Sequence, residues 1–262
     1  MTARPGRPRA SAERDTRGDV LAAAAALFAT VGYTATSTYA IAERAGVKQA
    51  SIYHHFRGKD VLLRTLLVEA LRPSLDLAGR LLDQPGPPAA RLWALCDTDA
   101  RWLADGPVNV GAMLHLPEVE DPAFAEFHAE RDQLRAAYDA LVAAVLAGAA
   151  GTAGTAGTAG TAGTAGTAGT APAPGGVVVD AAGTLVFGLV ETVISARRAG
   201  GTAAASRVAP LVADAALRVL GLDGDAVREA RAAAAALVPH PRVPAEDAAP
   251  DVDATTAALV VG

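Results

Sequence analysis

Residues 37–59, STYAIAERAGVKQASIYHHFRGK, constrain the fold more than any other stretch of the chain. Two helices that cross steeply need a small side chain where they touch and a glycine where the chain reverses. Ala42, followed four residues later by Gly46, meets both needs. The hydroxyls of Thr36, Ser37 and Thr38 can cap a helix reaching about Ala45, and a short helix from about Gln49 to Phe56 follows the glycine. Ile41, Ala45, Val47 and Ile52 fall on the inward side and clamp the pair. Lys48, Gln49, Ala50, Ser51, Tyr53, His54 and His55 are left on or near the outward side of the second helix.

The rest of the chain reads as all-α. Hydrophobic residues make up 51% of it but aromatics only 4%, the balance being alanine, which is the best helix former and buries little. Val20, Ala24, Leu27, Phe28 and Val31 keep helical spacing up to Gly32. A fourth helix is expected from Lys59 towards Leu82, with Pro73 as a place where it could kink. Helical patterns resume at about 89–104, 107–115, 121–149, 177–199, 203–221 and 225–237. Between them Gly-Thr-Ala repeats seven times, from Gly151 to Ala171. A three-residue period matches neither helix nor strand, and repeated glycine leaves little to pack, so residues 150–176 are expected to be a flexible loop.

Charge is distributed unevenly. The chain carries a net −5, yet residues 1–60 hold nine Lys/Arg against five acids, an excess of four positive charges. A basic head on an acidic body suits a protein that presents one end to a polyanion. Both lysines of the chain, Lys48 and Lys59, lie in this head. At its start, Arg4-Pro5-Gly6-Arg7-Pro8-Arg9 fits either a solubilising tail or an extended hook for a narrow A·T-rich minor groove. Met1 to Arg17 lacks an apolar segment, so no secretory leader is expected. The apolar stretch Val177–Ala196 is interrupted by Asp180 and Glu191, which argues against a membrane span. A cytoplasmic protein is the expectation.

The outward residues suit a major groove. Glutamine can bond adenine through two contacts, alanine can touch a thymine methyl, and serine pairs flexibly. Tyrosine, histidine and lysine can grip phosphates that fix the register. On the strength of LFATVGYTATS, then IAERAGVKQASIYHHF, then Lys59 at the start of the next helix, residues 17–67 resemble the TetR-family (tetracycline-repressor-type) regulators. The resemblance implies a three-helix DNA-binding head and a larger helical body that binds a small molecule. It also implies a homodimer built on the last two long helices. By position, Gln49, Ala50, Tyr53, His54 and His55 would face the bases. Ser37, Thr38, Tyr39, Lys48 and Lys59 would sit at phosphates or the groove edge. Tyr39-Ala40 departs from the polar or acidic pair often found there, and the Gly-Thr-Ala tract departs from the usual helix or short loop.

In the body, a stripe of Phe127, Leu134, Tyr138, Leu141 and Val145 includes Arg131. A cation there either snorkels out, meets an internal anion, or anchors a polar ligand. Trp93, Cys96, Trp102, Met113, His115, Phe124, Phe127, Arg131, Tyr138 and Phe187 are the candidate walls of a ligand pocket, each of them alternatively plain core, and His115 alternatively a partner of terminal helix carbonyls. Val208, Leu211, Val212, Ala215 and Val219 repeat at helical spacing, and Gly183 and Gly188 permit close approach. Helices 177–199 and 203–221 from two copies would therefore make a four-helix bundle.

An enzyme finds no support. Walker-type GxxxxGK, HExxH, GxSxG and CxxC motifs are missing, and no catalytic residue, metal site or cofactor is expected. Cys96 is the single cysteine, which excludes an internal disulfide. His54 and His55 diverge by about 100° on a helix and are poorly placed to share a metal. A helical adaptor remains as a third class. The expected organisation is a disordered basic arm (1–17), a helix-turn-helix domain (18–60), an effector-binding and dimerisation domain (61–237) and a disordered Pro-rich tail (238–262). The expected function is that of a ligand-responsive repressor, binding a palindromic double-stranded operator as a homodimer and released by a small molecule, with the fourth helix linking pocket to head.

Overall fold

A computed structural model describes residues 15–106, 110–154 and 174–238. The expected disordered arm up to Arg14, most of the Gly-Thr-Ala tract and the Pro-rich tail beyond Val238 lie outside the described residues, whereas Thr16 and Arg17, expected in the arm, open the first helix, where Arg17 pairs with Glu69. Helices account for the described architecture, and no strand occurs among those residues.

The head begins with α1 (Thr16–Thr30), started by the Asp15 carboxylate, which accepts from the Gly18 amide at 3.0 Å. Its buried Val20, Leu21, Ala24 and Phe28 face inward, and the chain turns at Gly32 with φ of 92°. Val31, expected inward, is exposed beyond the last turn. Helix α2 (Thr38–Ala45) is capped by Ser37, whose hydroxyl accepts from the Ala40 amide. It ends at Gly46, whose left-handed φ of 65° any side chain would strain. Helix α3 (Gln49–His55) follows after two residues, and Ile41, Ala42, Ile52 and Phe56 seal the hairpin.

Helix α4 (Lys59–Asp83) runs through Pro73 as one helix, so the expected kink does not interrupt it. Its Leu62, Leu63, Leu66 and Leu67 complete the head's interior, while Leu77, Ala78 and Leu81 lie in the body's. The two interiors therefore do not divide at residue 60. Met113, Val119, Phe124 and Phe127 also join the head's core, although they follow α5 (Pro88–Asp105) in the chain. The helix expected at 107–115 is instead a 3-10 turn, Val110–His115, followed by two more at Pro117–Glu120 and Pro122–Phe124. Thr34 donates to Glu118 and Arg64 to the Ala123 carbonyl, fastening these turns to the head.

Helix α6 (Ala125–Gly154) extends into the first repeats, and α7 (Pro174–Val219) starts earlier than expected, so both ends of the stretch expected as a loop, 150–154 and 174–176, are helical. Gly200 and Gly201 leave helical geometry and divide α7 into two arms, close to the expected boundary. Helix α8 (Gly224–Leu237), capped by Asp223, packs on α5 and α7. By length and composition, Val179–Val219 could cross a membrane. It bends at the glycine pair, however, and lays Val186, Val190, Val193, Ala205, Ala209 and Ala213 into the body core.

Candidate nucleic-acid interface and body cavity

The short turn between α2 and α3 projects a continuous polar surface. Lys48, Gln49, Ala50, Tyr53, His54 and His55 are exposed, Ser51 is half-buried, and Tyr39 on α2 is 65% exposed. Thr38 ties the two helices together. Its Oγ1 accepts from Gln49 Nε2 at 3.2 Å and lies 3.3 Å from the Tyr53 hydroxyl. Side chains that would otherwise sample many rotamers are thus held on one face before any partner arrives. The rings of His54 and His55 meet edge-on at 5.2 Å, and Lys48 and Arg57 flank the helix in solvent.

Lys59 stands apart from this surface. Its ammonium donates to the carbonyls of Tyr33, Thr34 and Thr36 at 2.7, 3.3 and 3.1 Å, and lies 4.2 Å from the Tyr33 ring centroid. An ammonium has three protons, and three carbonyls take them. Lys59, expected at the phosphates or the groove edge, spends these protons on pinning the turn between α1 and α2, on which the orientation of α2 and α3 depends.

The body holds a cavity of about 500 Å³ bounded by α1, α4, α5, α6, α7 and the first 3-10 turn. Most of its wall is apolar, including Leu21, Leu66, Leu71, Pro73, Leu134 and Val190. Its polar groups are Ser74, Asp99, Arg131 and Glu191. Trp102, a wall residue 41% exposed, marks where the cavity meets solvent. Arg131 pairs with Glu191 of α7 and lies 5.6 Å from the Phe187 ring centroid, so the internal anion is its partner.

Asp99 is nearly inaccessible to solvent. Its Oδ2 accepts the Tyr138 hydroxyl at 2.7 Å, and Oδ1 has no hydrogen-bond partner among the described residues. Burial drives its pKa up to about 6, against the opposing pull of the Tyr138 and Ser74 hydroxyls. The same burial, and then the nearby Asp99 charge, raises Tyr138 and Cys96.

Of the expected pocket residues, the structure brings Trp102, Arg131 and Phe187 to the cavity. Tyr138 stands one layer behind, packed edge-on to Phe187 and bonded to Asp99. Cys96 is fully buried below Asp99. Trp93 points the other way, donating to Asp214 under the guanidinium of Arg231. Met113, Phe124 and Phe127 are packed in the head's core, and His115 is exposed. Sequence reasoning missed Asp99, Ser74, Glu191 and the α1 wall. Asp99 was findable, because Leu92, Cys96, Asp99 and Leu103 recur at helical spacing and put a carboxylate on an apolar stripe.

Comparison with known proteins agrees with this geometry. Residues 20–66 match the sequence profile of bacterial regulatory proteins, tetR family. The crystal structure of Mycobacterium smegmatis AmtR is 39% identical and superposes with a TM-score of 0.67, covering 89% of this chain and 97% of that one. The HTH-type transcriptional repressor KstR2 of Mycolicibacterium smegmatis is 38% identical over 95 residues, 35% of this chain. The match spans 43% of that repressor's length. The structure of the ketosteroid transcriptional regulator KstR2 of Mycobacterium tuberculosis shares the fold, with a TM-score of 0.59 at 21% identity over 81% of this chain and 96% of that one.

Proposed function

This chain belongs to the tetR family of bacterial regulatory proteins, and on that premise we propose that it is a homodimeric repressor whose grip on a palindromic operator is released by a small molecule. The observation that carries the reading is the Thr38-braced face of α3, which offers amide, hydroxyl and imidazole groups to base edges. Gln49, Ala50, Ser51, Tyr53, His54 and His55 are the proposed base-side residues. Ser37, Thr38, Tyr39 and Lys48 are the proposed phosphate-side residues, and Lys59 acts through the turn it pins.

One recognition helix of seven residues reads few bases, whereas two related by a two-fold axis read a palindrome. The second copy is proposed to dock on α7, where Leu185, Leu211 and Val219 are 57, 64 and 49% exposed and Gly188 has open space above it. Two features revise the expected seam. Val212 is buried in the chain's own core, and Gly183 lies against Asp139 of α6 within the same copy.

Release is proposed to run through α1 and α4. Leu21 and Ala25 of α1, and Leu66, Leu67 and Leu71 of α4, are cavity wall and head core at once. A molecule that fills the cavity better in one arrangement of these helices shifts the population towards it, and with it the separation of the two α3 helices. A place in the cytoplasm, with the DNA, follows from the same reading.

The test is fluorescence anisotropy with duplexes from the region upstream of the protein's own gene. The unliganded protein is expected to bind one of them well above competitor DNA. Gln49→Ala is expected to weaken that binding by about 1–3 kcal/mol, roughly 5- to 150-fold. Indifference of the unliganded dimer to every upstream duplex at moderate ionic strength overturns the reading.

A further inference from the structure

Three ionisable side chains reach the body cavity: Asp99, Arg131 and Glu191. Arg131 and Glu191 pair with each other, so their charges cancel. Asp99 forms no ion pair among the described residues, and its Oδ1 is left without a partner at 4% exposure. The neighbouring hydroxyls of Tyr138 and Ser74 are neutral, and Cys96 beneath it is a buried thiol. The cavity therefore carries one uncancelled negative charge in otherwise apolar walls. Trp102, one helical turn along α5 from Asp99, adds an aromatic ring to the same wall.

A buried carboxylate with an open lone pair is stabilised most by a cation that also donates a hydrogen bond, and an indole ring favours the same charge. From the Asp99 carboxylate without an ion-pair partner, the self-neutralised Arg131–Glu191 pair and the apolar wall, we infer that the effector is a lipophilic monocation, an apolar body bearing one protonated amine that pairs with the Asp99 carboxylate at the cavity wall. An anionic ligand would meet the Asp99 charge and would have to take Arg131 from Glu191. A neutral alcohol would fill the open lone pair but leave the charge. This assignment rests on the cavity being the effector pocket proposed above.

Three probes with one chain length separate these chemistries: n-decylamine, 1-decanol and decanoate, each titrated below its self-association limit into the full-length protein by calorimetry. Decylamine is expected to bind at least tenfold more tightly than either of the others, and Asp99→Asn is expected to abolish that preference. A preference below tenfold, binding of none of the three, or an undiminished preference in a folded Asp99→Asn protein overturns the assignment. The wild-type ranking decides alone if the variant does not fold. Because these titrations contain no DNA, they fail independently of operator binding. An amine-selective protein that ignores every duplex sinks the regulator reading, and an operator binder without amine selectivity sinks this one.

Discussion

Asp99 shows how one side chain can oppose the fold it belongs to. Its ordinary pKa of 3.8 rises to about 6 in the folded chain, so the folded state holds the proton where the unfolded state has lost it. Stability therefore falls as pH climbs from about 4 to 6, and a rise of roughly 2 units corresponds to about 3 kcal/mol forgone at neutral pH. Asp99→Asn is expected to raise the urea midpoint at pH 7 and to do so far less at pH 4, which paired denaturation curves would register. Equal gains at both pH values would mean that charge burial is not the cause. Lys59 makes the opposite point about what a sequence discloses. Its position at the head of α4 was readable, but its three carbonyl partners lie 23 to 26 residues away, and no local pattern points to them.

At the scale of elements, legibility followed the range of the interaction. The Ser37 cap, the Gly46 reversal and the inward Ile41 and Ile52 are set by neighbours within a turn or two, and they lie where spacing put them. The cavity draws Leu21, Pro73, Asp99, Arg131 and Glu191 from five helices, so periodicity within any one of them cannot assemble it. The same limit affected the second arm of α7. Leu211 and Val212 share an apolar pattern, yet one is 64% exposed and the other 4%. Leu211→Glu is expected to give a monomer by sedimentation with its helical signal intact. Val212→Glu is expected to cost on the order of 3 kcal/mol or more and to lower the melting temperature first. A folded dimer from Leu211→Glu would remove α7 as the seam.

For the whole molecule, the separation of charge decides how it meets DNA. The first sixty residues, the arginines of the arm included, carry an excess of four positive charges ahead of an acidic body, a distribution that favours presenting the N-terminal end to a polyanion. Each phosphate contact contributes about 0.9 to the slope of log affinity against log salt. Lys48→Ala, applied to both copies, is expected to flatten that slope by nearly two while leaving the preferred sequence unchanged. An unaltered slope would take Lys48 away from the backbone.

The twenty-five residues of α4 give side chains to two interiors, and this sets how the molecule comes apart. The two interiors use different leucines of this one helix and meet at Leu71, which packs against both, so neither can dissolve without freeing part of the rod on which the other is built. Calorimetry is therefore expected to record a single endotherm, its van't Hoff and calorimetric enthalpies equal per cooperative unit, instead of an early melt of the small end followed by the large. Two resolved peaks would mean that the rod breaks near its middle, and that signals pass between its ends by fraying instead of by rigid displacement.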